Sequence, residues 1–214
     1  MDFSAPDVLD SPLLRRASAV VESIVSVPPR EKLGEILELL VRWNRRFNLV
    51  SRASDPGKIL ADALVDAAAL TLALEAGGGK VADLGAGAGL VSWALSFMMP
   101  ETELVLVEAN ARKAGFLRRV AGMLSGKKGG FTIVNTRLEE IKAGPLWRAA
   151  FSRAVWPPAQ GWRLAAPHLA PGGSYTILAG PGTPTPRGWG LFLYQDLFPD
   201  CGDYSARRLL RRSR

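Results

Sequence analysis

Val81-Ala82-Asp83-Leu84-Gly85-Ala86-Gly87-Ala88-Gly89 joins a short apolar run to a helical pattern over Leu90–Met98 through three alternate glycines. Glycine permits positive φ and lets the backbone approach a ligand, while the unpaired N–H groups of a helix start favour a bound group there. The dinucleotide pattern G-x-G-x-x-G fails in either register, because Gly85 and Gly87 are followed by Leu90, and Gly87 and Gly89 by Ser92. A plain hydride-transfer enzyme is therefore disfavoured.

Outward from this turn, apolar runs at Val81–Leu84, Leu104–Val107, Phe131–Val134, Ala149–Ser152 and Tyr175–Leu178 predict strands. Helical patterns fall between them near Leu90–Met98, Ala111–Leu124 and Pro158–Leu169. The alternation predicts a Rossmann-like α/β fold, with a mostly parallel sheet, right-handed crossovers and helices on both faces. Upstream, Leu33, Ile36, Leu37, Leu40 and Phe47 recur at helical spacing, and Asp55-Pro56 opens a second helix that runs to about Leu74. Gly77-Gly78-Gly79 closes this pair, so residues 1–76 read as an N-terminal helical arm and 77–214 as the Rossmann-like domain. Downstream, Gly180–Gly190 reads as a loop. Leu191–Leu197 and Ala206–Arg212 read as two further strands, or the arginines from Arg207 to Arg214 as a loose basic tail.

A chain of 214 residues with 48% apolar composition can bury one substantial core plus a small accessory segment. Its 27 basic and 20 acidic side chains give a net charge of +7, which favours polyanionic partners. Cys201 is the only cysteine and His168 the only histidine, so neither a disulfide framework, a zinc site nor a histidine triad can be assembled. The start Met-Asp-Phe-Ser lacks the pattern of a signal peptide, and no apolar run is long enough to span a bilayer. A cytoplasmic, monomeric protein without a membrane partner is expected.

Asp83, two residues before the first glycine, suits a cationic ligand better than a pyrophosphate, because an acid beside phosphate costs electrostatic energy. S-adenosylmethionine carries a sulfonium and an ammonium, and so fits. Glu108, at the end of the next strand, lies where an acid accepts hydrogen bonds from both ribose hydroxyls, a role shared by nicotinamide and S-adenosylmethionine enzymes. Leu138 and Glu139 fall where adenine would lie, although Glu139 also suits a helix N-terminus.

Leu40-Val41-Arg42-Trp43-Asn44-Arg45-Arg46-Phe47-Asn48-Leu49, followed by the glycine turn, resembles the RsmG (GidB) family of 16S ribosomal RNA guanine-N7 methyltransferases. Further matches are Val107–Lys113 with Phe116-Leu117, Arg137 with Glu139-Glu140, Ser152-Arg153-Ala154-Val155, and Leu169-Ala170-Pro171-Gly172-Gly173, so the resemblance spans about Glu31 to Leu178. It implies a class I, Rossmann-like S-adenosylmethionine methyltransferase fold. It also implies that Gly85, Leu90, Leu138, Glu139 and Arg153 contact the cofactor, with Gly87, Gly89 and Glu108 completing the pocket. The family pattern His-x-x-Asp-Ser stands here as Ala63, Asp66 and Ala67, the Phe-Pro-Gly-type run as Leu90-Val91-Ser92-Trp93, and the lysine after the fifth strand as Ala179.

Guanine N7 presents a lone pair and no proton, so its methylation requires alignment rather than a general base. The Asn-Pro-Pro-Tyr-like run of amino methylases is replaced by Ser152-Arg153-Ala154-Val155-Trp156-Pro157-Pro158, which fits ring-nitrogen chemistry. Arg153 is the candidate catalytic residue; it could hold the cofactor or a phosphate, or form a surface ion pair. Trp156 could stack on a flipped base or serve as a partly buried lid. Arg42, Arg45, Arg46 and Arg52 lie beside Trp43 and Phe47, which suits phosphate contact, while the two aromatics also suit docking of the arm on the sheet. The expected partner is 16S ribosomal RNA or a small-subunit particle. A small-molecule methyltransferase and a non-catalytic RNA-binding relative are the alternatives.

Overall fold

The computed structural model describes residues 8–22, 25–51, 55–74, 79–124, 129–142, 144, 146–198 and 202–214. Three helices precede the sheet: α1 (Pro12–Glu22), α2 (Arg30–Phe47) and α3 (Pro56–Ala73). Then follow β1 (Lys80–Leu84), α4 (Leu90–Met98), β2 (Glu103–Val107), α5 (Ala111–Met123), β3 (Phe131–Val134), β4 (Trp147–Arg153), α6 (Pro158–Ala165) and β5 (Leu169–Ala179). The chain ends with β6 (Gly190–Leu193), a short helix α7 (Tyr194–Leu197) and β7 (Arg208–Ser213).

The seven strands form one sheet in the order β3-β2-β1-β4-β5-β7-β6. β1 runs parallel to β2 on one side and to β4 on the other, with Asp83 opposite both Leu106 and Phe151. Strand order therefore reverses between β1 and β4, and the crevice outside their carboxyl ends is the place where such sheets bind ligands. β7 pairs antiparallel with both β5 and β6.

Strand alternation divides the buried side chains between two faces. Val81, Leu104, Leu106, Ala149 and Phe151 join the larger core, and Ala82, Leu84, Val105, Val107, Ala150 and Ile177 join the smaller one. Leu14, Leu37, Leu40, Leu64 and Leu70 of the arm belong to the larger core too, so arm and sheet share one apolar interior. The division expected after residue 76 falls among residues outside the described set. α3 is buried along most of its length, and its alanines let α1 and α4 approach closely. Asp55 caps it by accepting the Lys58 N–H at 2.7 Å, ahead of Pro56 at the first helical position.

Three elements differ from expectation. α1 was not foreseen, and its buried Leu14, Ala17 and Val21 supply the short apolar stripe that places it on α3. The helix expected over Pro158–Leu169 stops at Ala165 and tightens into a 3-10 turn at Ala166–His168, because Pro167 lacks the N–H that an α-helix needs. The run Leu191–Leu197 is a strand only to Leu193; it then turns helical, which buries Tyr194 and Phe198. The last segment is a strand and not a tail, since Leu209 and Leu210 bury on opposite faces of the sheet. Among the described residues no helix is long and apolar enough to cross a membrane.

Candidate functional site

The three glycines of the turn have φ of 75°, 59° and 69° at Gly85, Gly87 and Gly89, a region that side chains disfavour. Their surroundings differ. A Cβ on Gly85 would lie 2.8 Å from a Val155 methyl, and one on Gly89 would lie 2.6 Å from Leu117 Cδ2. On Gly87 it would meet nothing nearer than the Gly85 carbonyl at 4.0 Å. Gly85 and Gly89 are thus closed in by the protein, whereas Gly87 faces open space.

Hydrogen bonds from the neighbouring strand hold the turn. Gly85 and Ala86 N–H groups donate to the Val107 carbonyl at 2.9 and 3.0 Å. Glu108, buried at the end of β2, accepts the Gly87 N–H on Oε2 and the Asn110 N–H on Oε1, both at 2.8 Å. Each of its oxygens retains a further lone pair for a hydroxyl donor.

Asp83, Gly85, Gly87, Gly89, Leu90 and Arg153 line one cavity of about 190 Å³ at the carboxyl ends of β1 and β4, together with Phe151 and the arm residues Leu49 and Val50. Among the remaining site residues expected from the sequence, Glu108 braces the turn from beside that cavity. Leu138 is buried in the smaller core, and Glu139 is exposed on the 3-10 turn Leu138–Glu140. Neither lines the cavity.

Asp83 is 5% exposed and accepts a hydrogen bond from Ser92 Oγ at 2.6 Å. Burial pushes its carboxyl up to about 7, against the opposing pull of the Ser92 hydroxyl and the Arg153 charge. A buried acid so placed favours a cation above the glycine turn.

Arg153 is the last residue of β4, and Ala154 after it takes φ of 54°, which sends the chain over Gly85. Its Nη1 donates to Asp66 Oδ2 on α3 at 3.0 Å. The other oxygen of Asp66 accepts the Tyr194 hydroxyl at 2.8 Å and Arg207 Nη1 at 3.0 Å, and Arg207 Nη2 pairs with Asp62 at 2.7 Å. The ion pair open as an alternative at Arg153 is present, but its acidic partner is buried. Sequence reasoning missed Arg207 and Tyr194 at this site. Its one signal was Asp66, the surviving residue of the His-x-x-Asp-Ser pattern.

The arm block has a local physical cause. Asn48 ends α2 in the left-handed region at φ of 48°, and Asn44 Oδ1 accepts the Val50 N–H at 3.0 Å. The two asparagines thereby fold Leu49 and Val50 back to the cavity rim. Trp43 packs against Phe47 and Phe116 with ring centroids 5.4 and 5.5 Å apart, so the aromatics dock the arm on α5. Arg42, Arg45 and Arg46 are exposed, as are Arg112, Arg118 and Arg119 on α5, with Arg112 lying over the Phe47 ring. Arg52 lies outside the described residues. Trp156 is half-buried against the smaller core.

The C-terminal arginines are engaged by the protein itself, which decides the two open readings of this segment in favour of the strand. Arg207 holds Asp62 and Asp66, Arg208 reaches the Thr183 carbonyl, and Arg211 the Ala73 carbonyl at 2.7 Å. Arg212 lies over Trp162 at 4.7 Å, and Arg214 donates to the Leu169 carbonyl. On β7 itself Arg208, Arg211 and Arg212 flank the buried pair Leu209 and Leu210.

A family model described as rRNA small subunit methyltransferase G matches residues 30–183. The ribosomal RNA small subunit methyltransferase G of Acidiphilium cryptum is 33% identical over 194 residues, covering 87% of this chain and 86% of that relative. That of Paramagnetospirillum magneticum is 32% identical over 76% of this chain and 77% of its own length. Among solved structures, a predicted O-methyltransferase from Agrobacterium tumefaciens is similar in fold, with a TM-score of 0.54 at 20% identity over 71% of this chain and 80% of that one.

Proposed function

The chain belongs to the rRNA small subunit methyltransferase G family, and on that premise we propose that it methylates N7 of a guanine in 16S ribosomal RNA, using S-adenosylmethionine. The observation that carries the reading is the convergence, at the reversal point of the sheet, of an open glycine turn, a buried acid and an arginine on one cavity.

The residues fit the cofactor. Gly87 leaves room for it, Asp83 faces the cavity with a charge suited to an ammonium or sulfonium, and Glu108 keeps lone pairs for ribose hydroxyls. Arg153 supplies fork-shaped donors for a carboxylate, the one anionic group of S-adenosylmethionine. When bound, the cofactor supplies an electrophilic methyl on sulfur. Leu138 and Glu139 would complete the pocket from the β3 side. With N7 carrying no proton, this chain's work is orientation and electrostatic support of the approaching base, and no residue need remove a proton.

Substrate binding fits the basic surface that continues from Arg42, Arg45 and Arg46 on α2 to Arg112, Arg118 and Arg119 on α5, two helices in contact through Trp43 and Phe116. Leu49 and Val50 tie that surface to the cavity rim, and exposed Val155 lies against Gly85 of the glycine turn. The enzyme would act in the cytoplasm, as a monomer. Incubation with methyl-labelled cofactor and unmodified 16S RNA or small subunits, followed by nucleoside mass mapping, tests the reading. Label is expected on a guanine N7. Label found only on a small metabolite would overturn the RNA assignment.

A further inference from the structure

Asp66 would ordinarily be a poor place for a charge. Its side chain is 3% exposed, and a carboxylate so buried is costly unless it is paired and fully hydrogen-bonded. Here three donors meet it: Tyr194 Oη and Arg207 Nη1 on Oδ1, and Arg153 Nη1 on Oδ2. Asp62 takes the other terminal nitrogen of Arg207 and also pairs with Lys58 Nζ at 3.0 Å, so each carboxylate of the pair is matched by cations.

The two arginines are held unequally. Arg207 grips two acids and its side chain is 23% exposed. Arg153, at 39% exposed, has Asp66 as its only carboxylate contact among the described residues, while it also lines the cavity. A guanidinium carries five N–H donors in a rigid fork, and anchoring one nitrogen restricts the direction of the rest.

From this we infer that Asp66 is a positioning residue for Arg153, and that Tyr194 and Arg207 set its hold by fixing the Asp66 carboxylate from behind. The inference rests on the reading that Arg153 meets the cofactor carboxylate. It assigns the C-terminal segment, far from the glycine turn in sequence, a part in cofactor affinity. It also gives a reason for the aspartate to stand at position 66 where its neighbours in the pattern are Ala63 and Ala67.

Calorimetric titration of the full chain with S-adenosylmethionine tests it, using Asp66→Asn, Tyr194→Phe, Arg153→Ala and the Asp66→Asn/Arg153→Ala pair. Asp66→Asn should raise Kd about tenfold, the size of a charge-assisted contact, with Tyr194→Phe giving a smaller rise. The double variant should bind no worse than Arg153→Ala alone, because both changes remove one interaction. 5′-Methylthioadenosine lacks the carboxylate, so its Kd should be the same in wild type and Asp66→Asn, a result that a general loosening of the fold would not produce. If Asp66→Asn fails to fold, the cofactor and methylthioadenosine titrations of Tyr194→Phe decide the matter, since that change deletes a single hydroxyl. Weaker binding in Arg153→Ala, with wild-type affinity in the folded Asp66→Asn and Tyr194→Phe variants, would overturn the role of Asp66 and leave the pocket reading intact. So would additive losses in the double variant. Wild-type affinity in Arg153→Ala would overturn both.

Discussion

Gly85, Gly87 and Gly89 share a positive φ and differ in what faces them, so substitution at each should fail for a different reason. Gly89→Ala must displace Leu117 and Trp93 as well as strain the backbone, and should cost about 2 to 4 kcal/mol of stability. Gly87→Ala meets only the strain, about 1 to 2 kcal/mol, yet fills the side from which a ligand approaches. Thermal melts and calorimetry of the pair should show Gly89→Ala as mainly a folding defect and Gly87→Ala as mainly a binding defect; the reverse order would contradict the geometry. Asp83 yields a prediction in pH. Its carboxyl sits at about 7 when folded and near 4 in an unfolded chain, so the folded state holds a proton that the unfolded state has released. Its contribution to stability therefore falls as pH rises from about 4 to about 7 and is level above that. Asp83→Asn should remove this slope from a melting series. A cation beside Asp83 selects the carboxylate, so cofactor affinity should rise between about pH 6 and pH 8 with proton release on binding. A flat profile would remove Asp83 from the surroundings of the cation.

At the scale of elements, the end of α2 links docking of the arm to the cavity. Asn44→Ala leaves the half-buried Val50 N–H without its side-chain acceptor, a loss of about 1 kcal/mol and a fall in Tm of a few degrees. Because Leu49 and Val50 line the cavity, the same change should raise KM for the cofactor severalfold with kcat little altered. Equal effects on kcat and KM would show that the turn serves folding only. The central strands and the glycine turn were legible from apolar runs because buried parallel strands carry continuous apolar sequence. The β6–α7 junction was not. Leu191 to Leu197 has no glycine or proline to mark the junction, and the helix begins where Tyr194 donates its N–H to the Arg207 carbonyl and its hydroxyl to Asp66, contacts across the fold.

Over the whole molecule, the 27 basic residues divide by use. Arg207, Arg208, Arg211, Arg212 and Arg214 serve the fold, whereas the exposed arginines of α2 and α5 form the candidate RNA surface. Arg207→Ala strips a buried acid of one partner while Arg153 and Tyr194 remain on it, so denaturation should show a loss of about 2 to 3 kcal/mol. No loss would mean that solvent replaces the pair. RNA affinity should fall linearly with salt on logarithmic axes, and changing Arg42 and Arg46 together to alanine should flatten that slope by up to about two ion equivalents. An unchanged slope in the folded variant would move the RNA surface away from α2.

The sequence by itself determined the α/β fold, the place of the glycine turn and the residues Asp83, Gly85, Gly87 and Gly89 of the cavity, because these follow from local periodicity and glycine chemistry, while Leu90 and Arg153 of the same cavity were reached through the family resemblance. It left open the fate of the last basic segment and of the arm aromatics. Only the tertiary structure decided that Trp43 and Phe47 pack, that the C-terminal arginines are anchored, and that Asp66, Arg153, Tyr194 and Arg207 meet. The physical reason is range: Asp66 and Arg207 are 141 residues apart, and nothing in the sequence near either one encodes the contact. Their meeting follows from β7 entering the sheet beside β5 while α3 packs against the larger face, a consequence of burying all of these elements around one core.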